Sequence, residues 1–179
     1  MDLARVLGQL SAALHEAGIP HALIGGLALA AHGAPRATLD LDLLADGDRD
    51  DAVDRIMRSS GYECLHRSAH VANYAAHDPA LGRVDFLFAR REYGRAMLKR
   101  ARPAPGPIAE LRVVDAADLI GLKVQASSND PGRKRQDLAD IERLLRTATD
   151  IDRDRVREYF RLFDREKELD ALLVEIERK

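Results

Sequence analysis

There is no tryptophan in this chain of 179 residues, and aromatic residues amount to only 4% of it. Its core must therefore be built from Leu, Ala, Val and Ile. A single cysteine, Cys64, excludes an intrachain disulfide and predicts an intracellular, cytoplasmic protein. No apolar run approaches the ~18 residues a membrane-spanning helix needs, and the N-terminus does not read as a signal peptide. A strong charge of one sign is missing too: 28 Lys and Arg stand against 30 Asp and Glu, a net charge of −2, so there is no global pull toward nucleic acid or anionic lipid. Internal repeats and low-complexity tracts are likewise absent. What remains, 46% hydrophobic and 32% charged, describes a globular domain. A chain this long buries about two thirds of its unfolded surface, enough for a real core.

The most informative stretch is HALIGGLALAAHGAPRATLDLDLLA, residues 21–45. It reads as strand, Gly-Gly turn, short helix, loop and second strand. Residues 21–24 are short, apolar and bounded by Pro20 and glycine, which suits a buried strand. Gly25 and Gly26 lack a Cβ, so the backbone turns sharply there and comes close to a ligand. Residues 27–32 favour helix, with Gly33 placed to stop it. Residues 39–45 alternate as L-D-L-D-L, so Asp40 and Asp42 share one strand face, about 6.6 Å apart along the axis, and Leu39, Leu41 and Leu43 take the other.

Two carboxylates on one face repel unless a cation lies between them, and oxygen-only donors suit magnesium, which also takes substrate phosphates as ligands. The competing reading is a solvated acidic edge strand that blocks aggregation. A third acid weighs on the choice. In residues 83–89, R-V-D-F-L-F-A, Val84, Phe86 and Phe88 share one face and Asp85 and Leu87 the other. A lone Asp in so apolar a strand is costly to bury unless it is paired, with Arg83 for example, or binds a cation. Three carboxylates, Asp40, Asp42 and Asp85, could hold two metal ions about 3.5–4 Å apart and clamp an in-line displacement at phosphorus.

Gly25-Gly26, a helix, Arg36-x-Thr38 and Asp40-x-Asp42 resemble the core of the DNA polymerase β-like nucleotidyltransferase superfamily, closest to the small prokaryotic branch that includes AbiEii-type toxins. The superfamily's turn is often Gly-Ser. Here it is Gly-Gly, as in that branch, so no serine hydroxyl is offered to a phosphate at that spot. The resemblance covers most of the chain, from residue 19 to about 145. It implies a small mixed sheet flanked by helices, an α/β (α+β) fold, with a third acid on a neighbouring strand completing the metal site. It implies Mg²⁺, one ion or two, and an NTP as substrate. Gly25 and Gly26 would hug the triphosphate, with Arg36 neutralising its charge.

Downstream, Asp115 is expected to cap a helix that runs to about Ser127. Lys123 lies mid-helix among apolar residues, and either snorkels to solvent or reaches a triphosphate as a point charge. Lys123-Val124-Gln125-Ala126 matches the Lys-hydrophobe-x-Ala motif of the AbiEii-like branch. Asp137 and Asp140 follow at i, i+3 on the next helix, as that branch also has. One of them would position Lys123 or take a proton from the acceptor, which puts Lys123 and Asp137 with the three strand acids as candidate catalytic residues. They also read as ordinary acids of a helix start.

The remaining segments are mostly scaffold. Leu3, Val6, Leu7, Leu10, Ala13, Leu14 and Ala17 mark a first helix capped by Asp2, and Ala52, Val53, Ile56 and Met57 another. Residues 62–66, 71–76 and 111–114 read as strands. Residues 90–102 form a basic run, either a phosphate patch or a solvated surface, and residues 103–107 a stiff proline loop. From Asp150 the chain reads as helical to the end, a hairpin or one kinked helix, which predicts a nucleotidyltransferase-like domain over 1–149 and a helical extension over 150–179. Left exposed, its leucine stripe would form a homodimer surface.

The G-x-G-x-x-G spacing of a dinucleotide binder is absent, and so is an H-E-x-x-H metal motif. Two functions stay open. One is an enzyme that moves an NMP from an NTP to an acceptor (RNA, a protein side chain or a small molecule), with the toxin of a toxin–antitoxin pair, met by a cognate antitoxin, as one setting. The other is a non-catalytic nucleotide-binding or antitoxin-like protein that keeps the fold.

Overall fold

The computed structural model describes residues 3–38, 40–104 and 111–178. Asp2 as a cap, the facing of Leu39 and most of the proline loop lie outside the described residues. Contacts divide the chain into two compact units. The first is residues 1–31 with 36–114, and the second is residues 32–35 with 115–179.

The first unit holds seven strands in one sheet. They are β1 (His21–Leu23), β2 (Asp40–Asp46), β3 (Tyr62–Arg67), β4 (Val71–Ala76), β5 (Arg83–Ala89), β6 (Arg102–Pro103) and β7 (Arg112–Val113), in the order β3-β4-β5-β2-β1-β7-β6. Its helices are α1 (Leu3–Glu16), α2 (Gly25–Ala31), α3 (Asp50–Ser59) and α4 (Glu92–Arg100). The β2–β5 and β1–β7 pairs are parallel and the others antiparallel, so the sheet is mixed.

The period-2 pattern sorts the two faces of this sheet. Leu23, Leu41, Leu43, Ala45, Ala72, Tyr74, Val84, Phe86 and Phe88 are all buried, and the strand registers place them on one side. There Tyr74 meets Phe86 edge-on at 5.9 Å between ring centres, and Phe86 stacks on Phe88 at 6.2 Å. The opposite face carries Asp40, Asp42, Asn73, Asp85 and Leu87, none fully buried. One dry face and one wetter face is the usual condition of a sheet with antiparallel pairs.

The helix α4 was not foreseen within the basic run of residues 90–102. Only Met97 of its nine residues is buried, so its apolar stripe is too thin to read against the six cationic residues of the run. The expected helix at residues 27–32 begins earlier, at Gly25, because Gly25 itself adopts φ +64° and turns the chain straight from β1 into α2.

The second unit contains α5 (Ala116–Asn129), α6 (Lys134–Thr147), α7 (Arg153–Arg161) and α8 (Glu166–Glu177). Asp115 caps α5 as expected, its carboxylate accepting from Ala117 N–H at 3.0 Å. The expected boundary at 149/150 falls inside this unit, because α5 packs on both α6 and α7 and so joins the helices on either side of it. The C-terminal stretch is two helices, broken where Asp164 takes φ +55°. Tyr159 locks α7 to α5: its hydroxyl donates to the buried Asp118 at 2.7 Å while its ring lies over Gly121. No helix among the described residues is long and apolar enough to cross a membrane.

A Cβ on Gly121 would stand 2.7 Å from the Tyr159 ring, which its hydrogen bond to Asp118 keeps from moving aside. Gly121→Ala should therefore destabilise the second unit by about 1–3 kcal/mol despite the better helix propensity of alanine, read as a lowered denaturant midpoint followed by helical circular dichroism.

Candidate active site

Parallel pairing of β2 with β5 sets Asp42 opposite Asp85 and Asp40 opposite Arg83. Directly opposed residues share a face, so the three acids project from the same side of two adjacent strands, which lie about 4.8 Å apart. The carboxylate of Asp42 turns toward the Gly25-Gly26 turn, where the Gly26 backbone hydrogen-bonds it. A Cβ on Gly25 would run into that carboxylate. Gly25 is thus required twice, for its positive φ and for the close approach of Asp42. Gly26 is constrained as well, because Thr38 fills the space beside it, its Cβ 2.7 Å from where a Gly26 Cβ would lie.

This crowding shows in the pKa of Asp42, which is pushed up to about 6. Burial is the largest cause. The charges of Asp85 and Asp40 add to it, while the Gly26 hydrogen bond and the Arg36 guanidinium oppose it. Asp40, Asp85 and Arg36 are therefore all within electrostatic reach of Asp42. The donors are oxygen only, and a divalent cation would relieve the repulsion that raises Asp42, so the residues fit magnesium. As the side chains stand, no group of three or more His, Cys, Asp or Glu among the described residues closes to metal-holding distance. Asp42 leans to the glycine turn, and Asp85 is held by Asn73, whose Nδ2 donates to Oδ1 at 2.8 Å. Asn73 is the residue that sequence reasoning missed. Its role comes from the β4–β5 register, Asn73 opposite Asp85, which no local pattern announces.

In the second unit, Lys123 is 5% exposed and does not snorkel. Its Nζ donates to Asp140 Oδ2 at 2.7 Å and Asp137 Oδ1 at 3.2 Å, both carboxylates being buried. Both carboxylates therefore hold the Lys123 amine. The second oxygen of Asp137 is buried with no hydrogen bond, and Arg133 Nε approaches it only to 3.5 Å.

Two outcomes follow from these charges. The folded chain holds the Asp42 proton more tightly than the unfolded chain, whose ordinary value is 3.8. Stability from this group therefore falls as pH rises from about 4 to about 6, and above that the full cost of about 3 kcal/mol is present. Asp42→Asn should raise the unfolding midpoint at pH 8 and leave it unimproved at pH 3.5, measured by thermal melts. Lys123→Met, which strands two buried carboxylates, should cost about 3–5 kcal/mol in urea unfolding, and adding Asp137→Asn and Asp140→Asn should recover most of it.

Comparison with known proteins agrees with this fold. The solved structure of ANT(2")-Ia in complex with adenylyl-2"-tobramycin is similar at TM-score 0.71 and 15% identity, covering 92% of this chain and 98% of that one. An antigenic nucleotidyltransferase-like protein from Paracoccidioides brasiliensis is similar at TM-score 0.57 and 18% identity, over 96% and 92%. The lincomycin-bound lincosamide adenylyltransferase LnuA is similar at TM-score 0.52 and 12% identity, over 73% and 89%. No curated protein matches the chain. The mixed α/β architecture is that of nucleotidyltransferases. Over residues 1–176 the sequence matches the family described as uncharacterised nucleotidyltransferase, and the chain belongs to that family.

Proposed function

We propose that this protein transfers a nucleoside monophosphate from an NTP to the hydroxyl of an acceptor, in a magnesium-dependent reaction centred on Asp40, Asp42 and Asp85. The observation that carries the reading is the in-register pair Asp42 and Asp85, with Asp40 close enough to add its charge. A folded chain does not crowd acids and raise one to about 6 without a cost, and a cation-bound state recovers it.

Magnesium bound to these carboxylates would polarise the α-phosphate and neutralise charge that builds on its oxygens. The chain's own groups do the rest. Gly25 and Gly26 leave backbone uncovered for the triphosphate, and Arg36, already within reach of Asp42, meets part of its charge. The other oxygen of Asp85 would take the proton of the attacking hydroxyl. In the second unit, Lys123 has one N–H beyond the two it gives to Asp137 and Asp140, and these carboxylates hold its amine in place. Catalysis of this kind rests on positioning and charge stabilisation.

Small hydroxyl compounds are the acceptor class to try first, since the similar folds include adenylyltransferases solved with tobramycin and lincomycin derivatives or ligands. RNA ends and protein side chains complete the panel. With α-labelled NTPs and Mg²⁺ or Mn²⁺, wild-type protein should label an acceptor and release pyrophosphate. Asp40→Asn, Asp42→Asn and Asp85→Asn should each lower that rate at least ~100-fold. NTP binding without transfer to any acceptor class, unchanged in these variants, would instead mark a non-catalytic nucleotide binder.

A further inference from the structure

Asn73 has no place in the reaction described so far. It lies on β4 with Val71 and Ala75 on either side along the same face, and neither of those can donate a hydrogen bond from its side chain. Asparagine is depleted in strands, because its amide gains little from a pleated surface and competes with the backbone. At this position the amide has a definite task. It faces Asp85 across the β4–β5 pair and gives its Nδ2 to Oδ1 at 2.8 Å. The amide orientation is fixed by chemistry, since a carboxylate oxygen only accepts.

We propose that Asn73 is a positioning residue for the transfer reaction: by holding Oδ1 of Asp85, it sets the plane of the carboxylate and leaves Oδ2 for the cation or the acceptor proton. This rests on the proposed function. A carboxylate with one oxygen tethered loses its freedom to rotate, and its remaining oxygen has a defined direction. The donor is also neutral. A lysine or arginine here would orient Asp85 equally well but cancel the charge that binds a cation. An aspartate would lose the donor and add a fourth negative group. Asparagine orients Asp85 and leaves its charge whole. Partners that orient metal-binding carboxylates typically matter 10–100-fold in metal affinity or activity.

The test measures Mn²⁺ affinity by electron paramagnetic resonance, and kcat and NTP KM at saturating metal, on full-length protein. Asn73→Ala should weaken Mn²⁺ binding 10–100-fold and lower kcat by a similar factor, with NTP KM within about threefold of wild type. Asn73→Leu keeps the shape without the donor, and should behave the same way if Asn73→Ala proves poorly folded. Wild-type Mn²⁺ affinity and kcat in a folded variant would overturn the proposal. So would a loss confined to NTP KM. Asp85→Asn separates the two ideas. If it abolishes transfer while Asn73→Ala and Asn73→Leu are normal, only the role of Asn73 fails. If wild type binds no Mn²⁺ and transfers nothing, both fail together.

Discussion

The parallel pairing of β2 with β5 is the constraint on which the rest of the first unit depends. Its register puts Asp42 beside Asp85 and at the same time aligns Leu41 with Val84 and Leu43 with Phe86 on the opposite face. The two consequences cannot be separated. A slip of one residue would send the acids into the aliphatic side and the leucines into the polar side. The buried face therefore holds the acidic face in position, and the hydrophobic burial that stabilises the sheet also works against the charge repulsion across it. Tyr74 and Phe86, both fully buried, supply much of that apolar contact, in a chain with few aromatics to spend.

The second unit handles charge in the opposite manner. Around Asp42 like charges meet and the proton is held more tightly. Around Lys123 opposite charges meet, two carboxylates to one amine, all of them buried. A buried ion cluster of this kind adds little net stability, yet it is expensive to break, so it fixes the relation of α5 to α6 more than it strengthens it. Tyr159 and Asp118 do the same for α5 and α7 with a neutral donor. Nine of the fourteen residues of α5 are buried, Gly121 included, and both α6 and α7 pack on it.

Much of the architecture was legible in the sequence because it rests on alternation and punctuation. The L-D-L-D-L of residues 39–45 and the R-V-D-F of residues 83–86 each announce a strand with acids on one side. Gly25-Gly26 and Asp115 announce a turn and a cap. Local pattern does not announce partnership. Asp42 opposite Asp85 is a register, as is Asn73 opposite Asp85, and a register is set by the whole sheet. The same holds for Lys123. Its sequence neighbours left snorkelling and phosphate binding both open, and what decided its surroundings was a pair of acids 14 and 17 residues away. The helix α4 escaped because its burial rests on Met97 alone. The unit boundary escaped because it depends on α5 accepting Tyr159 over a glycine, a fit between residues 38 apart in the chain.

Gly25 shows how tightly the turn and the Asp42 carboxylate are joined here. Its positive φ starts α2 directly from the end of β1, and its missing side chain admits the Asp42 carboxylate. A residue with a Cβ would meet both obstacles at once, so the turn cannot be relieved by adjusting the backbone alone. The carboxylate held there takes a hydrogen bond from Gly26, which lowers its pKa, and the pKa still ends well above the ordinary value. The protein therefore sets a glycine-dependent turn and a crowded charge within the same few ångströms. Marginal stability makes a cost of about 3 kcal/mol significant for any domain, and a site that only shielded an edge from aggregation would not need it. Exposed acids on a solvated face would serve that purpose with no perturbation at all. The burial of Asp42 against paired glycines thus sets this strand face apart from a solvated acidic surface.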